Sequence, residues 1–275
     1  MDKSIIGFIG GGNMSTSIIG GLIADGYPAD KLLVADPSEE TCQALAKRFG
    51  ISTETDNSAV VSQAQSLVLA VKPQVLRLVA EEIASAVQQQ KPLIISIAAG
   101  IRSTDIDNWM GGNTAVVRTM PNTPALVQSA ATGLFANGSV SEVQHEQAES
   151  ILRAVGITRW FSNEADLDAV TALSGSGPAY IFYVIEALEN SAINLGLDED
   201  SAHLLAVQTA FGAAKLALES SEKPSVLRER VTSPGGTTER ALITLREGGL
   251  EAIFIEALAA ARDRATELAD QFGDD

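Results

Sequence analysis

Short, almost wholly apolar runs separated by helix-length stretches fill the first part of this chain, and that alternation leaves few folds open. The runs cover residues 5–9, 32–35, 67–71, 93–97 and 115–120. Between them lie segments with helical signals, among them 37–49, closed by Gly50, and 73–88. A strand apolar on both faces must be covered on both, the situation of a parallel sheet between layers of helices. Right-handed crossovers then give a doubly wound α/β arrangement. Two further runs, 133–136 and 158–161, read as edge strands around a helix at 141–154.

After residue 163 the strand pattern stops. Helical segments follow at 178–195, 202–220, 226–230, 238–247 and 250–271, rich in Ala, Leu and Ile on more than one face. In the last of them Ile253, Phe254, Ala257, Leu258 and Ala261 keep helical spacing, while Ile255, Ala259 and Ala260 broaden the stripe. Helices apolar over most of their circumference must be buried, and a small helical domain has too little interior for several. A compact bundle is one reading; so many helices share the excess that a subunit interface is the better one. The expected domains are therefore 1–163, carrying the sheet, and 164–275, all helical.

Composition narrows the partners. With 45% hydrophobic and 20% charged residues the chain reads as globular, not disordered. A formal net charge of −16, from 19 Lys and Arg against 35 Asp and Glu, speaks against nucleic acid and anionic membranes. The single cysteine, Cys42, has no partner for an intramolecular disulfide, which suits a reducing compartment. The opening residues carry no secretory-signal pattern and the apolar runs are too short to span a bilayer, so a soluble cytoplasmic protein is expected.

Gly10-Gly11-Gly12-Asn13-Met14-Ser15 follows the first run and precedes a helical pattern through Ile18, Ile19, Leu22 and Ile23. A first glycine permits the tight turn, a second lets a pyrophosphate approach the backbone, and the new helix points its N–H groups at that anion. Ser15 stands where a third glycine or alanine is usual, but it is small enough for close helix–strand packing. The strand before and the helix after make this a dinucleotide site, and the domain Rossmann-type. The dinucleotide is itself an anion, so local donors must hold it against the global charge.

The second run ends at Ala35-Asp36-Pro37-Ser38. An acid here accepts hydrogen bonds from the adenosine ribose and favours NAD over NADP; equally, Asp36 or Ser38 caps the next helix. The nearest bases, Lys47 and Arg48, come late in that helix. Ala70-Val71-Lys72-Pro73 and Ser96-Ile97-Ala98-Ala99-Gly100 lie at the carboxyl ends of predicted strands, where open α/β sheets bind ligands. Lys72 is there either a cofactor contact or a solvated charge.

A second glycine-rich stretch, Val231-Thr232-Ser233-Pro234-Gly235-Gly236-Thr237-Thr238-Glu239, precedes a helix that Thr237 or Thr238 can cap. Its N–H groups also make a receptor for a carboxylate. The two histidines, His145 and His203, sit in predicted helices away from both loops, and with Cys42 they form no metal-ligand cluster or Cys–His pair. Hydride transfer to a protonated imine needs little side-chain acid–base help, whereas a ketone needs an acid for the developing alkoxide.

On several blocks the chain resembles the pyrroline-5-carboxylate reductase family over essentially its whole length. They are Phe8–Met14, Ala70–Gln74, Ser96–Ile101, Arg118-Thr119-Met120-Pro121-Asn122-Thr123-Pro124, Leu173-Ser174-Gly175-Ser176-Gly177-Pro178-Ala179-Tyr180 and Val231–Thr238. The resemblance implies reduction of 1-pyrroline-5-carboxylate to L-proline, the last step of proline biosynthesis. It implies that Ile9, Gly10, Gly11, Gly12, Asn13, Met14, Ala70, Val71, Lys72, Pro73, Ile97, Ala98 and Ala99 line the cofactor, with Asn57 also touching it. It places substrate among Val231, Ser233, Gly236, Thr237 and Thr238, with the Thr238 hydroxyl meeting the ring nitrogen as the catalytic contact. It further implies NADP(H) as preferred donor with NAD(H) usable, in tension with Asp36. The helical domain is expected to make an intertwined homodimer in which a loop of one subunit completes the other's site, and such dimers commonly assemble into decamers.

Two other readings remain open at this level. A β-hydroxyacid dehydrogenase would carry a catalytic lysine on a C-terminal helix, and Lys215 and Lys223, the candidates, lack a glycine-rich setting. A non-catalytic redox sensor would lack the second anion-binding loop.

Overall fold

The structure, a computed structural model, describes residues 4–274. Strand β1 (Ile6–Ile9) passes through the glycine loop into α1 (Asn13–Ala24). The alternation continues through β2 (Leu32–Ala35), α2 (Glu39–Phe49), β3 (Ser52–Glu54), α3 (Asn57–Val61), β4 (Ser66–Leu69), α4 (Pro73–Gln90), β5 (Leu93–Ser96), α5 (Ser103–Trp109) and β6 (Val116–Met120). Then come β7 (Ala130–Ala136), α6 (Glu142–Arg153) and β8 (Gly156–Trp160). The sheet order is β3-β2-β1-β4-β5-β6-β7-β8, with β6 and β7 antiparallel and every other pair parallel. This is the expected Rossmann-type sheet, with its strand order reversing beside β1 and β4.

The apolar runs are buried on both faces because successive side chains point to opposite sides. Ile6 and Phe8 of β1 and Val68 of β4 join one core cluster with Ile18, Ile19 and Leu22 of α1. Ile9 of β1 and Leu67 and Leu69 of β4 join the other with Leu76 and Ile83 of α4. The sequence gives no signal for β3, whose Ser-Thr-Glu is largely exposed; pairing with β2 makes it a strand at the sheet's edge. β7 begins earlier than residue 133 and runs antiparallel to β6, to which the short connection 121–129 returns it.

Beyond the sheet, α7 (Asp166–Val170) widens through a π-type turn at Thr171–Gly175. α8 (Gly177–Asn194), α9 (Glu199–Glu219), α10 (Pro224–Arg230), α11 (Thr237–Glu247) and α12 (Leu250–Asp274) follow. The compact units do not follow the expected 163/164 division. One runs through Ser176 and resumes at Ala260; the other is Gly177–Ala259. Packing explains why the end of α12 goes with the sheet. Ala265 and Ala269 are buried, and Leu268 lies so close to Gly100 that a Cβ added there would sit 3.2 Å from Leu268 Cβ. The Thr266 hydroxyl donates to Asp168 at 3.0 Å, and Arg102 pairs with Asp270.

Within Gly177–Ala259 burial is sparse. Not one residue of α8 is buried, and of α9 only Ala202 and Ala206 are. Phe182, Tyr183, Leu204, Phe211 and Leu218 are all more than half exposed in the single chain. So large an apolar surface marks an interaction site. None of the helices in the described residues is long and apolar enough to cross a membrane.

Candidate active site

The sheet-bearing unit presents a row of strand ends. Parallel register sets Ile9 beside Ala35 and Leu69, and Leu69 beside Ser96. One residue on, Gly10 N–H donates to the Ala35 carbonyl at 2.8 Å, Ala70 N–H to Ile9 at 2.8 Å and Ile97 N–H to Leu69 at 3.2 Å. Asp36, Gly10–Gly12, Ala70–Pro73 and Ile97–Ala99 therefore emerge side by side at the carboxyl edge, where open α/β sheets hold ligands. Gly10 has φ +98°, and a Cβ there would lie 2.8 Å from the Ala70 carbonyl oxygen, so only glycine fits.

Gly12 is the N-cap of α1, and no side chain caps this helix. Its first N–H groups thus stay free for an anion, and no acid in the first turn opposes one. Ser15 has a role of its own: it is fully buried, and its hydroxyl donates to the Gly10 carbonyl at 2.6 Å. A hydroxyl bond thereby stiffens the loop at the place where a third glycine would only have made room.

Of the two readings of Asp36 and Ser38, the cap belongs to Ser38, whose hydroxyl accepts from Thr41 N–H at 3.2 Å. Asp36 instead accepts from Gly11 N–H at 2.8 Å and from Ser38 N–H at 2.9 Å, one bond to each oxygen. Beneath it the Cys42 thiol donates to the carbonyls of Asp36 and Glu54 at 3.4 and 3.3 Å. Burial pushes the thiol's pKa up, its hydrogen bond to Asp36 works the other way, and the charges of Asp36 and Glu39 add to the rise. Cys42 is a buried strut, not a nucleophile. Asn57 opens α3 and donates to Glu82 of α4 at 3.2 Å, while Lys72 is the exposed N-cap residue of α4.

The helical unit holds the second loop. Gly236 is the N-cap of α11 and no side chain caps it, so Thr237 and Thr238 are its first residues and not its caps. Gly235, with φ +72°, donates its N–H to the Glu239 carboxylate at 2.7 Å, and Gly236 N–H reaches the Ser233 carbonyl at 3.0 Å. These two bonds hold the loop closed upon itself. Val231 is 63% exposed, an apolar side chain open to solvent at the loop's start.

Residues 164–268 match a family model described as pyrroline-5-carboxylate reductase dimerisation, and residues 5–100 match one described as NADP oxidoreductase, coenzyme F420-dependent. A pyrroline-5-carboxylate reductase of Pseudomonas aeruginosa is 47% identical over 273 residues, covering 99% of this chain and 100% of that one. The chain belongs to the pyrroline-5-carboxylate reductase family. The solved structure of a pyrroline-5-carboxylate reductase from Coxiella burnetii is similar at 46% identity and TM-score 0.94, covering 98% of this chain and 99% of that one. That of Plasmodium falciparum pyrroline carboxylate reductase with NADP bound matches at 26% identity and TM-score 0.86, over 98% and 99% of the two chains.

For this reductase-family chain, the residues implied for the cofactor fall on the sheet-bearing unit and those implied for substrate on the helical one. Sequence reasoning gave no role to a charged group that the fold assembles in the first unit. Arg118, 4% exposed, lies 3.1 Å from Asp168 and 3.4 Å from Glu164. Glu164 also accepts from the Ser103 N–H at 2.6 Å and hydroxyl at 2.8 Å. With Arg102, Arg262 and Thr266 these residues line a cavity of about 320 Å³. The signal was an arginine inside the apolar run 115–120, since a charge in a strand buried on both faces must find partners. Asn122 was likewise only a motif letter. Its side chain donates to the Ser174 carbonyl at 3.1 Å and accepts from Ala131 N–H at 3.0 Å, tying two of the family's blocks together. The histidines lie elsewhere: His145 stacks on Trp160 with ring centroids 3.4 Å apart, and His203 meets Glu189 at 2.7 Å.

Proposed function

We propose that this chain reduces 1-pyrroline-5-carboxylate to L-proline with a reduced pyridine dinucleotide, the last step of proline biosynthesis. The observation that carries the reading is the pair of helices that begin on glycine with no side-chain cap. α1 opens at Gly12 at the sheet's carboxyl edge, and α11 opens at Gly236 behind the Val231–Thr238 loop. Each is a receptor for an anion, one suited to a pyrophosphate and the other to a small carboxylate.

When bound, the reduced nicotinamide supplies the hydride that the imine carbon accepts. The residues Ile9, Gly10, Gly11, Gly12, Asn13 and Met14 receive the pyrophosphate, Ala70, Val71, Lys72 and Pro73 the middle of the dinucleotide, and Ile97, Ala98 and Ala99 a flat ring, which the two small alanines leave room for. Asp36 and Asn57 serve the adenosine end. The N–H groups at the start of α11 hold the substrate carboxylate within the pocket of Val231, Ser233, Gly236, Thr237 and Thr238. The Thr238 hydroxyl meets the ring nitrogen and fixes the imine's orientation. Because that nitrogen is already protonated in the reactive species, no acid is needed for a developing alkoxide. The donor choice between NADP(H), which the family resemblance favours, and NAD(H) rests on Asp36.

The assembly is a homodimer at least, its apolar helices facing a second copy and a loop of one subunit completing the other's site; decamers built from such dimers are the larger form, and the cytoplasm is the location. The test is oxidation of reduced nucleotide with L-proline as product. Turnover of 1-pyrroline-5-carboxylate with either nucleotide supports the reading, and its absence with both defeats it. Thr238→Ala is expected to lower kcat, whereas unchanged kcat and KM would remove the hydroxyl from the chemistry.

A further inference from the structure

The adenosine end of the cleft carries charge of one sign. Asp36 leaves β2 half-buried; Glu39 and Glu40 fill the first turn of α2; Glu54 ends β3; and Asp56 is the N-cap of α3. Glu54 is tied to this end by Asp36 N–H, which donates to its carbonyl at 3.1 Å. The bases of α2, Lys47 and Arg48, are in its last turn, about 12 Å along the axis from Glu39 at the usual helical rise. Arg48 is occupied besides, its guanidinium 4.8 Å from the centre of the Phe49 ring.

Asp36 is also fixed in place. Its two oxygens are held by Gly11 N–H and Ser38 N–H, and its backbone by Glu54. The Gly11 bond puts the carboxylate 2.8 Å from an N–H of the loop that faces a dinucleotide. A carboxylate has about four acceptor positions, and these bonds use one on each oxygen. What remains matches the two hydroxyls of an unmodified ribose, both of which donate. A 2′-phosphate brings close to two negative charges, donates nothing at neutral pH and would face Asp36, while the bases of α2 stand at that helix's other end.

We propose that Asp36 is the specificity-determining residue of the nucleotide site and that this chain selects NADH over NADPH by rejecting the 2′-phosphate. The selection is the reverse of the preference implied by the family resemblance. It rests on the dinucleotide reading of the Gly10–Gly12 cleft and adds to it the identity of the nucleotide.

The experiment is a fluorescence titration of the full chain with NADH and with NADPH, without substrate, at low and moderate salt. Wild type is expected to bind NADH at least about tenfold tighter, a ratio of Kd values that narrows as salt screens the repulsion. Asp36→Ser is expected to shrink that ratio several-fold or invert it. Glu39→Arg, at an exposed position that keeps both bonds to Asp36, is expected to strengthen NADPH binding alone and guards against misfolding of the first variant. Equal or tighter binding of NADPH by wild type overturns the proposal, as does a ratio unmoved by both variants. Failure of wild type to bind either nucleotide overturns instead the dinucleotide reading beneath it.

Discussion

The sheet-bearing unit and the helical unit use their apolar residues in opposite ways. In the first, Phe8, Ile18, Ile19, Leu67 and Leu76 have essentially no contact with solvent. In the second, Tyr183 is 73% exposed and Leu218 77% exposed in the single chain. Yet the second is no less apolar in sequence. The first unit buries its apolar residues within itself, whereas the helical one leaves an exposed apolar face of the kind that marks an interaction site, in a region matching a dimerisation family model. The proposed cofactor and substrate residues divide the same way, the first on the sheet-bearing unit and the second on the helical one.

That contrast can be broken or sharpened by substitution. The largest effect is expected in the core of the sheet. Phe8→Ala removes a fully buried ring and should cost about 3–5 kcal/mol in denaturant unfolding; a change under about 0.5 kcal/mol would show that β1 is not the keystone of that core. Asp168→Ala comes next. It strips Arg118 of its closer partner but leaves Glu164 at 3.4 Å, so a loss of roughly 1–3 kcal/mol is expected, short of that for a wholly orphaned charge. In the helical unit Phe182→Glu should barely alter the fold of a lone chain, because the ring is 65% exposed there. It should instead move the protein from oligomer to monomer in sedimentation and abolish the concentration dependence of Tm. Glu239→Gln is milder still. The amide retains an acceptor for Gly235 N–H but not its charge, so KM for the carboxylate substrate should change a few-fold with stability unmoved. Smallest is the response of Cys42, whose buried thiol should ignore a thiol reagent until the protein is unfolded.

Much of the first unit was legible in the sequence for a physical reason. Strands buried on both faces need continuous apolar runs, and β1, β2, β4, β5 and β6 each fall within or beside one. β3 has no such run because it lies at the sheet's edge, and nothing in Ser52–Glu54 announces it. The division of α12 was not legible either, since the same alanine-rich pattern serves burial against the sheet at Ala265 and Ala269 and exposure elsewhere. In the candidate site the glycines could be read because loop geometry demands them. What could not be read was which polar groups satisfy one another: Ser15 with Gly10, Glu239 with Gly235, and Asp36 with Gly11 are bonds across the turns of the folded chain. Side-chain partners depend on three-dimensional return, and spacing alone does not contain it.

The central claim is that the nucleotide half is complete in one chain and catalysis is not. The most direct measurement takes a monomeric Phe182→Glu variant and compares its nucleotide affinity and its turnover of 1-pyrroline-5-carboxylate with those of the wild-type assembly. The account predicts an unchanged Kd for the preferred nucleotide together with turnover that falls with the assembled fraction. A monomer that turns over substrate at the wild-type rate would contradict it.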